Sequence, residues 1–370
     1  MAYNGLEQER IGRSMRTGTA QLPLHHGRAP AWLFSLMTSL AREITAYIVS
    51  FQGPGEYLRR LSDPFWFQAF GCVLGFDWHS SGLTTTICGA IKEGLKGLGS
   101  DLGLFVAGGK GAASRRTPRE IEERASQLGL DPSPLIYASR MAAKVDSNAL
   151  QDGYQLYHHT FFFTREGQWA IVQQGMNEQA SYARRYHWLG EKVSDFVCEP
   201  QAAICCDRRE GVVLDLVASA SAQAREASAA LSRERPEMLV RELKRIRELR
   251  LPSRHPVRRE DIHPERLQEI FLKTYEQQPS SFEELLGMPG VGAKTIRALA
   301  FIAELLYQAP PSFRDPARYS FAHGGKDGHP YPVDRESYLT SIDFLKKAVE
   351  SAKVGHYDKV RALKRLARLF

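Results

Sequence analysis

The sequence predicts an α+β fold: an N-terminal domain of antiparallel hairpins packed on helices, then an all-helical C-terminal domain. Three observations predict it. Apolar residues recur at helical spacing in the first part of the chain, and a stretch beginning near Tyr154 turns aromatic and β-branched. After about residue 218 no strand signal remains. A length of 370 residues favours two domains. The expected divisions are a mobile leader over residues 1–20, an α+β domain over 21–218 that carries any chemistry, and a helical domain over 219–370.

Taken in order, PAWLFSLMTSLAREITAYIVSF spaces Trp32, Leu33, Leu36, Met37, Leu40, Ile44, Tyr47 and Ile48 as one face of a helix that starts near Pro30. EYLRRLSDPFWFQAFGCVL continues helical beyond Pro64, and a polar turn from Asp77 to Gly82 leads into another helix. GGKGAASRR is expected to be a basic glycine loop, followed by a helix capped by Thr117 with Pro118 in its first turn. YQLYHHTFFFTREGQWAIVQQG forms a hairpin about Glu166-Gly167, which places His159 opposite Gln174 and Thr160 opposite Gln173. QAAI and VVLDLV, joined by CCDRREG, are expected to make a second hairpin. Beyond them come alanine- and arginine-rich helices broken or started at Pro236, then a proline-punctuated connection, LPSRHPVRREDIHPERLQ.

Net charge is +7, and the surplus is concentrated late in the chain. Residues 233–259 carry ten Lys or Arg against four Glu, and 341–370 carry eight against three acids. That suits a nucleic-acid partner. No apolar run reaches the roughly 18 residues that span a bilayer, so no membrane partner is expected. Five cysteines without C-x-x-C spacing point to small buried thiols in a reducing, cytoplasmic setting.

GMPGVGAKTIRALA, residues 287–300, points to the kind of partner. Gly290 and Gly292 allow a tight turn and leave backbone N–H groups uncovered, at the start of a helix opening at Ala293. Lys294 and Arg297 stand in its first turn, where a cation is unfavourable unless an anion lies nearby. A phosphate satisfies all of these groups. The stretch FEELLGMPGVGAKTIRALAFIAELL resembles the helix-hairpin-helix motif, and the resemblance implies DNA as that partner. A packed helix–helix turn with no ligand is the alternative.

Three clusters compete for chemistry. GFDWHSSGLTTT offers Asp77 and His79 to one divalent metal, or simply a helix cap. Lys144, Asp146, Asp152, His158 and His159 lie on or before the first hairpin, and neighbouring strand residues face opposite ways, so one histidine at most joins a shared site. This cluster loosely resembles metal-dependent nuclease cores, though QQG stands on the second strand where their (D/E)-x-K belongs. Carboxylates from Asp77, Asp146 and Asp152, with His79, are the expected ligands of Mg²⁺ or Mn²⁺, with Lys144 steadying charge at phosphorus; hydrogen-bonded structural polar groups are the alternative. AGGKGAASRRTP offers Lys110, Arg115 and Arg116 as phosphate contacts, without a Walker pattern. Smaller candidates are His25, His26 and Arg28, then Arg184, Arg185 and His187, and the loop with His323, Asp327, His329 and Asp334.

Taken together, LPLHHGRAPAWL, LRRLSDPFWFQAFGCVLGFDWHSSGLTTT, GGKGAASRRTP, KVDSNALQDGYQLYHHTFFF, WAIVQQGMN, ARRYHWL and YPVDRESY resemble a prokaryotic family known as domain of unknown function 763. The family implies no activity by itself. Joined to the hairpin motif, it suggests nucleic-acid work. The expectation is a structure-selective, metal-dependent DNA nuclease in repair or processing; the alternative is a non-catalytic protein that grips the DNA backbone.

Overall fold

The computed structural model describes residues 29–76, 80–206, 210–248, 264–317, 343 and 345–369. Four helices open it: α1 (Ala31–Gln52), α2 (Pro54–Ser62), α3 (Pro64–Leu74) and α4 (Gly82–Gly94). Prolines at the start of α2 and α3 cost nothing there, because the first helical N–H groups lack intrahelical partners anyway. Asp63 caps α3 by accepting from Trp66 N at 2.9 Å.

A short helix, α5 (Gly99–Leu102), leads into strand β1 (Leu104–Lys110). The expected glycine loop is therefore partly a strand. A Cβ on Gly108 would stand 2.3 Å from the carbonyl oxygen of His159, so the glycine is required by close approach to the next strand. Helices α6 (Ala112–Arg115), α7 (Thr117–Leu128) and α8 (Ser133–Lys144) follow. Thr117 is the first residue of α7 and not its cap; its buried hydroxyl donates to Ser114 O at 2.8 Å.

After α8 a π-helical turn, Val145–Ala149, leads into β2 (Leu150–Gln151), and β3 (Gln155–Thr164), β4 (Trp169–Asn177) and β5 (Tyr182–Leu189) form a meander. Its first hairpin is as expected, with one shift: His159 faces Gln173 and His158 faces Gln174. The connection is a three-residue loop with Gly167 at φ 81°, and the odd residue moves the register by one. The expected second hairpin does not form. β6 (Ala203–Cys205) extends the sheet beside β5, while β7 (Leu214–Asp215) pairs with β2. The sheet order is β1-β3-β4-β5-β6, all antiparallel, beside the small β2-β7 ribbon.

Helices complete the chain: α9 (Ala222–Leu231), α10 (Pro236–Glu248), α11 (Pro264–Gln277), α12 (Phe282–Gly287), α13 (Ala293–Tyr307), α14 (residues 345–351) and α15 (His356–Leu369). The fold is mixed α+β with a helical C-terminal part, as the sequence predicts. Strand alternation sends Phe105, Phe161, Phe163, Ile171, Tyr186 and Trp188 into one core with α8 to α13. Leu104, Phe162, Ala170, Val172 and Leu189 enter a second core with α1 to α4 and with Leu345, Val349 and Leu366 of α14 and α15. Residues from both sides of position 218 thus share each core. No helix among the described residues is long and apolar enough to cross a membrane.

Candidate nucleic-acid interface and the polar sheet centre

The turn between α12 and α13 is built from below. Phe282, Leu285 and Leu286 of α12, Met288 and Val291 of the turn, and Ile296 and Leu299 of α13 are buried in the first core. Ser281 caps α12 through Glu284 N, and the Glu284 carboxylate returns to Ser280 N at 2.6 Å. At the other end of α12, Lys144 Nζ donates to the carbonyls of Leu286 and Met288, each at 2.7 Å. Lys144 was expected near a metal site; it holds the turn instead. Burial lowers its pKa.

Gly290 lies at φ 87°, a left-handed conformation. A Cβ on Gly290 or Gly292 would meet nothing within 4 Å, so the outer side of the turn is open. α13 begins with no side chain capping it, Gly292 standing in the cap position. Lys294 is exposed, and Ala293 and Gly292 are half-buried. Arg297 turns the other way. Its Nε donates to Gln151 Oε1 at 2.7 Å, and Gln151 Nε2 donates to Ala293 O at 2.8 Å. Gln151 is a clasp between β2 and α13 that the sequence did not single out.

The expected catalytic carboxylates lie inside the molecule. Asp146, in the π-helical turn, is fully buried and accepts from Gln173 Nε2 at 2.5 Å, Trp188 Nε1 at 2.8 Å and Gln201 Nε2 at 2.6 Å. Burial raises its pKa to about 7, against the opposing pull of these three donors. Since Gln173 gives its amide N–H to Asp146, its carbonyl accepts from His159 Nδ1 at 2.7 Å, and His159 Nε2 accepts from Ser139 Oγ at 2.9 Å. Burial lowers the pKa of His159 to about 4 and keeps the ring neutral.

Asp152 belongs to a second cluster. It accepts from Tyr186 Oη at 2.7 Å and from Arg184 Nη1 at 3.0 Å, and Arg184 also bonds Asp315 at 2.6 Å. All three members of this ion triad are buried at their side chains. Every one of these groups is committed to a protein partner.

His158, the neighbour of His159, faces the opposite side of the sheet. There Gln174 Nε2 donates to Ser81 O at 2.8 Å, just before α4, and bonds Tyr157 Oη at 2.5 Å. His158 Nε2 pairs with Thr160 Oγ1 at 3.0 Å. His158 Nδ1 and Gln174 Oε1, at facing strand positions, have no hydrogen-bond partner among the described residues. Burial lowers the His158 pKa to about 3, aided by His159 and Lys110. Deeper on this face Arg185 reaches Gln68 Oε1, Thr84 Oγ1 and His187 Nε2, and burial draws its pKa down to about 10.

The basic segment expected to bind phosphate is partly occupied. Gly108 N donates to Glu120 Oε2 at 2.9 Å, and Lys92 Nζ donates to Gly108 O at 2.7 Å. Lys110, over the Tyr157 ring, and Arg115 and Arg116 are exposed. Asp77, His79, His25, His26, Arg28, His323, Asp327, His329 and Asp334 lie outside the described residues, as does residues 1–20. Among the described residues no group of three or more His, Cys, Asp and Glu is arranged to hold a metal. The structure brings Asp146 and His159 into one network, Asp152 into another, and His158 onto the far face.

A family model described as protein of unknown function, DUF763, matches residues 18–333. The chain belongs to the DUF763 family. No curated protein and no solved structure matches this DUF763 chain. What the sequence missed in it were the partners: Gln151, Gln201, Ser139, Tyr186 and Asp315. Their one available signal was polar residues at strand positions of both parities, as in ARRYHW, which a two-sided core must satisfy internally.

Proposed function

We propose that the protein holds DNA by its phosphate backbone at the turn joining α12 to α13. The observation that carries this reading is the uncapped start of a 15-residue helix behind an outward-open glycine turn, with Lys294 exposed beside it. Free amides and the helix dipole attract an anion there, and a phosphate backbone presents anions without regard to sequence. α10 packs near α13 and adds Arg241 and Arg245, both exposed at their side chains, although each also faces Glu242. Binding is tested by anisotropy with duplexes of unrelated sequence. Lys294→Glu should weaken all of them alike and reduce the salt slope by about 1. Unchanged affinity in Lys294→Glu and Gly290→Val, both folded, would remove the turn from the interface.

Metal-dependent hydrolysis of the bound strand, with Mg²⁺ or Mn²⁺, is a second reading. It is favoured by the unpartnered His158 Nδ1 and Gln174 Oε1, two buried polar atoms at facing positions of β3 and β4 without a partner among the described residues. Incubating end-labelled single-stranded, duplex, bubble and flap DNA with each metal and with EDTA tests it. Cutting that survives in EDTA, or none on any substrate, discards this reading and leaves the grip.

A further inference from the structure

A cleft of about 430 Å³ opens between α13, the β4–β5 turn and the β2-β7 ribbon. We infer that it receives one unstacked nucleobase of a single-stranded or extruded DNA nucleotide, beside the phosphate-holding turn. This inference rests on the DNA-binding reading above and names the form of DNA preferred.

Three residues of α13 lead from the turn into the cleft. Ala293, Arg297 and Phe301 are spaced at i, i+4 and i+8 and so follow one face of the helix, Arg297 about 6 Å and Phe301 about 12 Å along its axis from Ala293. The order is backbone amide, guanidinium, aromatic ring. A nucleotide presents the same order of needs: phosphate, sugar-phosphate edge, planar base. Arg297 and Phe301 both line the cleft. Gln151 holds the Arg297 Nε, so the cation stands as a fixed part of the wall.

The remaining lining has the mixed character a base requires. Phe313, half-buried, gives the aromatic surface over an almost wholly buried Phe301, with Val212, 43% exposed, at the rim. Asp152 and Glu210 also line the cleft, their carboxylates held by Tyr186 and Arg184 and by Tyr154. Gln179, on the β4–β5 turn, brings a carboxamide that can both donate and accept, and Asn177, at the end of β4, brings its Nδ2 donor while its Oδ1 accepts from Ala180 N at 3.0 Å. An aliphatic ligand would leave the amides unsatisfied, and a small anion would leave the aromatic wall uncovered. A planar heterocycle with a hydrogen-bonding edge meets both. The volume lies within the usual range for small-ligand sites. A base must leave its stack to enter such a site, and that costs least in a single strand or at a mismatch.

The test uses the full chain and anisotropy with three probes: a short single strand, the same strand made abasic, and a blunt duplex. The single strand should bind about tenfold or more tightly than the abasic strand, as expected for one base stacked on aromatic side chains. Val212→Trp fills the cleft from an exposed position, and Gln179→Ala removes an exposed amide; neither removes a core side chain. Val212→Trp should bring the single strand down to the abasic affinity and leave duplex binding unchanged, with Gln179→Ala intermediate. Equal binding of base-containing and abasic strands, insensitive to both variants, overturns the cleft and leaves the grip standing. Failure of all three probes to bind overturns the grip and the cleft together.

Discussion

At the scale of single residues, the interior is polar where strands are covered on both faces, and its titration has a sign. His158 and His159 are held neutral with pKa values near 3 and 4, and His187 lies well below the ordinary value, all chiefly by burial. Their folded pKa values lie below the unfolded ones, so the stability they contribute is present above about pH 6.5 and is lost as pH falls toward 4. Asp146, raised to about 7, and Asp152, also raised, act oppositely: folding strengthens their hold on a proton, so their contribution is lost as pH rises. Three imidazoles outweigh two carboxyls. Denaturant unfolding should therefore show stability falling as pH drops from about 6.5 toward 4. His159→Gln should shallow that slope, since the amide can meet Ser139 and Gln173 without taking up a proton. In the ion triad, Arg184→Leu leaves Asp152 and Asp315 as buried carboxylates without their cation, and should cost about 3–5 kcal/mol by the same measurement.

At the scale of elements, Lys144 ties α8 to the turn that follows α12. Lys144→Met keeps the buried stem and removes both bonds, so hydrogen exchange of amides from residue 286 to 294 should speed up while those of β3 and β4 remain protected. Unaltered exchange would mean that the turn needs no such tie. The β3–β4 hairpin was legible because aromatic and β-branched residues flank a glycine turn. β1 was not, because Gly108 and Gly109 stand in a strand where contact with β3 admits no side chain, and glycine pairs ordinarily signal loops. The partners of β6 and β7 were equally hidden. Both strands are short, and nothing local says that each pairs with a distant strand rather than with the other. The role of Lys144 was unreadable for the same reason: its acceptors are backbone carbonyls far along the chain.

At the scale of the whole molecule, one sheet divides two cores, and each core is closed by helices from the late part of the sequence. Fold class was legible from the change in periodicity, whereas this division was not, since it depends on where helices return. Removing residues 341–370 should expose the apolar faces of α1 and α3, forfeiting Leu345, Val349 and Leu366 at roughly 1.5–3 kcal/mol each. Light scattering and circular dichroism of the shortened chain check this; a monomer of unaltered melting temperature would refute it. The same closure sets an order of events during synthesis. Chains ordinarily fold from the N-terminus as they emerge, yet the layer made first here, α1 to α4, waits for the α14 and α15 residues before its outer contacts exist. During elongation that layer is an uncovered apolar slab, and a chaperone that shields the nascent chain has there a binding surface that the finished protein withdraws.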